Sequence, residues 1–255
     1  MKIFETHAHL DFKQFDNDRA DLIRKCLNND IKYIINIGVD ANSCKASINL
    51  AKKYKYIYAA VGFHPHDAKD YDEELIKDLL QNENVVAVGE IGLDYYRNLS
   101  AKKIQQKVFE AQIKLALKSN KPIIVHARDA HNDCLRILEK YKPPKVVFHS
   151  FTGNSEIANR ILRNDWFFSF NGIITFRNNQ LENVLRIVPM EKIFVETDSP
   201  YLSPVPRRGQ RNTPMNLRYI IEKIAQIKRI APKKVGEITF NNAIDFFQIK
   251  TDSDR

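Results

Sequence analysis

The stretch that decides the fold is Ile3-Phe4-Glu5-Thr6-His7-Ala8-His9. A short run of β-forming residues ends in two histidines, one residue apart. The figure recurs in Val85-Val86-Ala87-Val88-Gly89-Glu90, Pro122-Ile123-Ile124-Val125-His126 and Lys145-Val146-Val147-Phe148-His149. Continuous apolar runs of this length are what parallel strands covered on both faces require. The pattern predicts eight of them: Ile3–His7, Tyr33–Gly38, Ile57–Gly62, Val85–Glu90, Pro122–His126, Lys145–His149, Trp166–Asn171 and Ile193–Asp198. Amphipathic segments lie between them. In 101–119, Ile104, Val108, Ala111 and Leu115 share one helical face, and Asn120-Lys121-Pro122 ends the helix. Thr213-Pro214 reads as an N-cap followed by proline at the first helical position. A last helix, roughly 232–247, is expected to pack on the body of the protein. Strand and helix in alternation, eight times in 255 residues, predict an α/β protein, a closed (β/α)8 TIM barrel in a single domain over 1–255. An open doubly wound sheet is the alternative, but it commonly carries G-x-G-x-x-G after the first strand, and none is present.

Composition narrows the class. Hydrophobic residues are 44% of the chain, enough for a sizeable core, and the net charge of +9 favours anionic partners. Biased base composition would also enrich lysine. The three cysteines, Cys26, Cys44 and Cys134, form no C-x-x-C pair. They suggest neither a disulfide framework nor a thiolate zinc site. Met1-Lys2-Ile3-Phe4-Glu5 lacks the apolar run of a signal peptide, and no stretch approaches a membrane span. The expectation is a cytoplasmic protein with no membrane contact and no obligate protein partner.

Position is the informative signal. In a βα barrel the C-terminal strand ends converge on one face, where active sites are built. Here those ends carry His7, His9, His64, Glu90, His126, His149 and Asp198. Alternate residues of an extended segment point the same way, so His7 and His9 can reach one ion. Glu90 has two oxygens and can bridge two ions. His126 and His149 can complete the second. Asp198 can bind the first and accept a proton from an attacking water. The set suits two divalent ions about 3.5–4 Å apart, with Mg2+, Mn2+ or Zn2+ all admitted by nitrogen and oxygen donors. A lone histidine after a strand is more often a hydrogen-bonded core residue than a ligand. Five of the seven histidines at strand ends, with His66 two residues further on, are hard to explain that way. His131 lies in the following helical segment and reads as surface.

These residues resemble the TatD family of metal-dependent deoxyribonucleases, within the amidohydrolase-like barrels. The matching segments are Thr6-His7-Ala8-His9-Leu10-Asp11, Gly62-Phe63-His64-Pro65-His66-Asp67, Gly89-Glu90-Ile91-Gly92-Leu93-Asp94-Tyr95-Tyr96 and Ile124-Val125-His126-Ala127-Arg128-Asp129-Ala130. They continue with His149-Ser150-Phe151-Thr152-Gly153, Glu196-Thr197-Asp198-Ser199-Pro200-Tyr201-Leu202 and Arg208-Gly209-Gln210-Arg211-Asn212. The resemblance implies a first metal on His7, His9 and Asp198, a second on His126 and His149, Glu90 between them, and His64 facing substrate. It also implies phosphodiester hydrolysis of DNA, often of single strands from the 3′ end with Mg2+ or Mn2+. Two departures stand out. Glu5 replaces the usual aspartate before the first histidine pair, which leaves the ligands intact and touches their support. Glu90 stands where many amidohydrolase relatives rely on a modified lysine elsewhere, which fits the TatD branch.

Candidate substrate contacts lie beside these residues. Segment 199–212 carries Pro200, Pro204 and Pro206, then Arg207, Arg208 and Arg211. Proline stiffens the loop and arginine offers bidentate phosphate contacts. Arg128 is another candidate for phosphate, and Tyr95 and Tyr96 for stacking on a base, although one of them can equally pack on a neighbouring loop. Two other readings remain: a small-molecule amidohydrolase or lactonase using the same two-metal site, and a non-catalytic basic barrel that binds nucleic acid.

Overall fold

The computed structural model describes residues 1–177 and 180–250. The expected single domain over 1–255 therefore includes 178–179 and 251–255, which lie outside the described residues. The strands are β1 Ile3–Ala8, β2 Ile31–Ile37, β3 Ile57–Val61, β4 Val85–Asp94, β5 Ile123–Arg128, β6 Val146–Phe148, β7 Phe167–Phe170 and β8 Ile193–Val195. The α-helices are α1 Arg19–Asn28, α2 Ala41–Lys53, α3 Glu73–Leu79, α4 Lys102–Lys118, α5 His131–Tyr141, α6 Ser155–Arg163, α7 Leu181–Ile187, α8 Leu217–Lys228 and α9 Pro232–Phe247.

The strands pair in sequence order and every pair is parallel. The first and last strands meet just beyond β8. There the Asp198 N–H donates to the His7 carbonyl and the His9 N–H to the Ser199 carbonyl, both at 2.9 Å. The result is a TIM barrel with a C-terminal helix packed on it. All eight expected strands are present. β8 stops at Val195, so Glu196, Thr197 and Asp198 lie on the loop that follows. β4 runs on to Asp94, four residues beyond its expected end.

Alternate residues of the strands fall into two apolar clusters, as expected for a sheet covered on both faces. Ile123, Val125, Val146, Phe148, Ile193 and Val195 join the cluster that the helices α4, α5, α7 and α8 cover. Ile124, Val147 and Phe194 join a second cluster with Phe4, Ile35, Tyr58 and Val86. His126 and His149 emerge two residues after Ile124 and Val147, so the second cluster lies beneath them. At the N-terminal ends of the strands α9 adds Phe240, Phe246 and Phe247 to this cluster, with Phe247 ring centroids 6.3 Å from Phe4 and 5.8 Å from Phe194. Each such buried ring contributes on the order of 1.5–3 kcal/mol.

One helix start differs from expectation. Thr213 makes no side-chain cap bond, and Pro214–Asn216 forms a 3-10 turn, so α8 begins at Leu217. The Asn212 side chain accounts for the difference. It donates to the carbonyls of Thr197 and Tyr201 and accepts from the Thr213 N–H, tying this turn to the loop after β8.

Candidate metal centre

Six residues from five strand ends meet at the C-terminal mouth of the barrel. His7 and His9 come from β1 and the segment following it, Glu90 from β4, His126 from β5, His149 follows β6, and Asp198 follows β8. His7, His9 and Asp198 bring donor atoms within 4.8 Å of one another. The Asp198 Oδ1 lies 3.4 Å from His9 Nε2 and 3.7 Å from His7 Nε2. Asp198 adopts a left-handed backbone, φ +56°. Its N–H bond to His7 and the Asn212 bond to Thr197 hold this conformation, which costs of order 1–3 kcal/mol in a residue other than glycine.

Glu90 divides its carboxylate between the two sides of the site. Oε2 lies 3.3 Å from His7 Nε2 and 3.9 Å from His9 Nε2. Oε1 lies 2.7 Å from both His126 Nδ1 and His149 Nε2. His64, at the end of the β3 segment, places Nε2 3.5 Å from Oε1 and completes a further donor group with Glu90 and His126. The His64 Nδ1 accepts the His66 N–H at 3.1 Å, so its proton sits on Nε2 and it is a hydrogen-bond donor toward the mouth.

The chemistry of this donor set fits divalent cations. Both ring nitrogens of His7 are buried without a hydrogen-bond partner, a costly arrangement that an ion on Nε2 relieves for that nitrogen. Burial pushes the Glu90 carboxyl upward, but the imidazoles of His149, His64 and His126 outweigh it and hold Glu90 well below the ordinary carboxylate range. Burial likewise opposes ionisation of Asp198, and His9, His7 and His149 reverse it. Burial pushes the His149 ring down, but Glu90 and Glu196 outweigh it and hold His149 well above the usual imidazole value, while burial and His149 together leave His7 below it. Two ionised carboxylates among imidazoles that compete for few protons are poised to exchange those protons for metal.

Partners outside the ligand set fix which nitrogen His126 and His9 present. Asp94 is fully buried and its Oδ2 lies 3.1 Å from His126 Nε2 and 3.0 Å from His66 Nε2, so His126 offers Nδ1 inward. The His9 Nδ1 faces the Ile37 carbonyl at 3.1 Å, which leaves Nε2 for the site. Glu196 sits 3.4 Å from His149 Nδ1 and accepts the Ser150 N–H. Glu5 accepts from the His7 N–H, the Thr197 N–H and the Thr197 hydroxyl, stitching β1 to the loop that carries Asp198; burial pushes its carboxyl up to about 8. Sequence reasoning assigned no role to Asp94 or Glu196. A signal existed: Asp94 lies two strand periods beyond Glu90, and Glu196 one period before Asp198.

The candidate substrate contacts separate into two kinds. Arg128 and Tyr96 are exposed together, with the guanidinium 3.9 Å over the ring. Arg207 is exposed and hydrogen-bonds the Tyr219 hydroxyl. Arg211 is already paired: it makes a bidentate bond to Asp18 at 2.8 and 2.6 Å and lies 4.7 Å over Phe15, so a phosphate there must compete with a carboxylate. Tyr95 donates its hydroxyl to Asp133 and accepts from Gln106, packing in the way its neighbour Tyr96 does not. His131 differs from its surface expectation. It opens α5 half-buried, edge-on to Phe151, because the β5–α5 loop turns it back toward the barrel.

Comparison with known proteins gives matches along nearly the whole chain. The family model of the TatD related DNases matches residues 4–248. An uncharacterized metal-dependent hydrolase, YabD of Bacillus subtilis, is 39% identical over 253 residues, covering 97% of this chain and 99% of its own. The 3′-5′ ssDNA/RNA exonuclease TatD of Salmonella typhimurium is 30% identical over 258 residues, covering 97% and 99%. The crystal structure of YjjV, a TatD homologue of Escherichia coli K12, superposes with a TM-score of 0.92 at 27% identity, covering 97% of this chain and 98% of that one.

Proposed function

The chain belongs to the TatD-related DNase family of metal-dependent hydrolases, and on that premise we propose that it hydrolyses phosphodiester bonds, trimming single-stranded DNA from the 3′ end. The observation that carries the reading is the division of the Glu90 oxygens between two imidazole groups. His7, His9 and Asp198 would hold one divalent ion, His126 and His149 the other, and Glu90 both. Such ions polarise a phosphodiester and acidify water.

The chain's own groups supply the rest. Asp198 is ionised; its Oδ1 faces His9 and His7 on the side of the ion, and its other carboxylate oxygen is left to accept a proton. His64 donates its Nε2 proton to a non-bridging phosphate oxygen. Arg128, steadied on the Tyr96 ring, takes a flanking phosphate. The name of the Salmonella relative supports a single-stranded substrate and the 3′-5′ direction. No helix among the described residues is long and apolar enough to cross a membrane.

The test is nucleotide release from 3′-labelled single-stranded DNA with Mg2+, Mn2+ or EDTA, on wild type and Asp198→Asn. Release that requires metal and drops at least ~100-fold in kcat in the variant supports the assignment, since one general base is worth about that factor. No release by the metal-loaded wild type refutes it and turns the search to uncharged esters, lactones and amides.

A further inference from the structure

A cavity of about 440 Å3 opens beside the metal centre and has no part in the reading above. It lies between the β4, β5 and β6 loops. Tyr95 directly follows Asp94, whose carboxylate is 3.1 Å from the His126 ring, and the Tyr95 N–H is bonded to the Arg128 carbonyl. The cavity thus begins one residue beyond the pair that orients a candidate ligand. Its walls include Tyr95, His131, Asp129, Asn132, Asp133 and Asn154.

The lining argues for a particular guest. No lysine or arginine is among the described residues that line it, and of its two carboxylates Asp133 is paired with Arg136 while Asp129 is exposed, so the lining itself offers phosphate no cation. Two ring side chains and two side-chain amides suit a flat heteroaromatic group with a polar edge; the Asn132 oxygen accepts from Arg160 and the Asn154 oxygen from the Ile157 N–H, so these amides meet the guest with their NH2 groups. The His131 ring is braced edge-on by Phe151, and burial pushes its pKa down to about 4, so it stands as a neutral ring at physiological pH. Asp129 is exposed on a left-handed backbone, φ +53°, with a carboxylate able to accept from an exocyclic amine. The cation–aromatic pair that suits phosphate, Arg128 on Tyr96, is outside the cavity on the adjoining rim.

We propose that this cavity is a nucleobase subsite, receiving the base of a nucleotide beside the bond to be cleaved, with Asp129, Asn132 and Asn154 reading its polar edge. The inference rests on the phosphodiesterase reading and adds to it a contact that depends on the base. Bases bearing an exocyclic amine are favoured over thymine at the position the cavity receives.

The test uses the metal-loaded full chain and single-stranded octamers with one abasic residue at the first, second or third nucleotide from the 3′ end. Wild type is expected to lose about tenfold or more in kcat/KM for one of these positions, the scale of one lost base contact. Asn132→Trp, which fills the cavity, should reduce that position-specific penalty to about twofold or less, as a coupled pair requires. The dissociation constants of the same octamers, measured by fluorescence anisotropy in an Asp198→Asn background, should follow the same pattern without turnover. If Asn132→Trp lowers the melting temperature, Asp129→Asn replaces it, since asparagine tolerates the left-handed backbone. It should then narrow the preference for cytosine over thymine at that position. Equal cleavage of all three abasic octamers by wild type overturns the subsite, as does a penalty that survives in the variant. Absence of release from every octamer overturns the phosphodiesterase reading instead, and the subsite with it.

Discussion

Replacing Gly92 with alanine should disable one half of the site while leaving the other in place. Gly92 pairs with His126 across β4 and β5. An added Cβ would stand 2.0 Å from the His126 carbonyl oxygen and 2.9 Å from its carbon, where ordinary contact begins at 3.4 Å. The two strands must separate by about 1.4 Å, the difference of those figures. The backbone conformation, φ +146°, is also one that a side chain resists. Overpacking costs about 1–3 kcal/mol and a dihedral of this kind about 1–3 kcal/mol more, so the total is about 2–6 kcal/mol. For a chain of this length that lowers Tm by about 4–24 °C. Gly209→Ala separates the two contributions, because Gly209 has φ +81° and nothing within 4 Å of the added Cβ. It should show the dihedral cost alone. Metal ligation tolerates displacements of only about 0.2 Å. His126 Nδ1, 2.7 Å from Glu90, should therefore lose its place, while His7, His9 and Asp198 keep theirs. Thermal melting of the metal-free protein and calorimetric titration with Mn2+ measure both effects. A Gly92→Ala protein that melts within about 2 °C of wild type and gives the same two-site isotherm would refute the reasoning.

Three further outcomes follow from particular contacts. Asp94→Asn should weaken the second ion about 10–100-fold, as loss of a ligand-orienting carboxylate does, with folding retained; equal affinity in the two proteins would show that Asp94 does not position His126. The folded-state pKa of His131 is about 4 against 6.5, so the unfolded chain binds the extra proton first, and stability is lost as pH falls from 6.5 toward 4. At pH 5 the loss from this residue is about 2 kcal/mol, and His131→Gln should flatten the fall in urea-unfolding free energy between pH 7 and pH 5 by that amount; an unchanged slope counts against its burial. The thiols of Cys26, Cys44 and Cys134 are buried, and burial raises Cys26 and Cys44 to about 12 and Cys134 further. The native protein should ignore DTNB for hours and react only on unfolding, and rapid native labelling would contradict that.

The sequence by itself determined the architecture and the donor set. Eight apolar runs spaced for parallel strands can satisfy their backbone groups and cover both faces in few ways, and the barrel is the one found. Because parallel strands deliver all their C-terminal ends to one face, the positions of His7, His9, Glu90, His126, His149 and Asp198 in the sequence already gather them there. Local periodicity says nothing about which distant side chains pair. That is why only the tertiary structure decided that Asp94 turns the His126 ring, that Asp18 occupies Arg211 across the chain, and that Asp133 claims Tyr95 but not Tyr96. The same holds for His131, whose helical position gave no hint that the β5–α5 loop would fold it against Phe151. The physical distinction is between period and partner. Burial pattern is written every two or four residues along the chain, whereas a hydrogen bond between loops depends on the closure of the whole barrel.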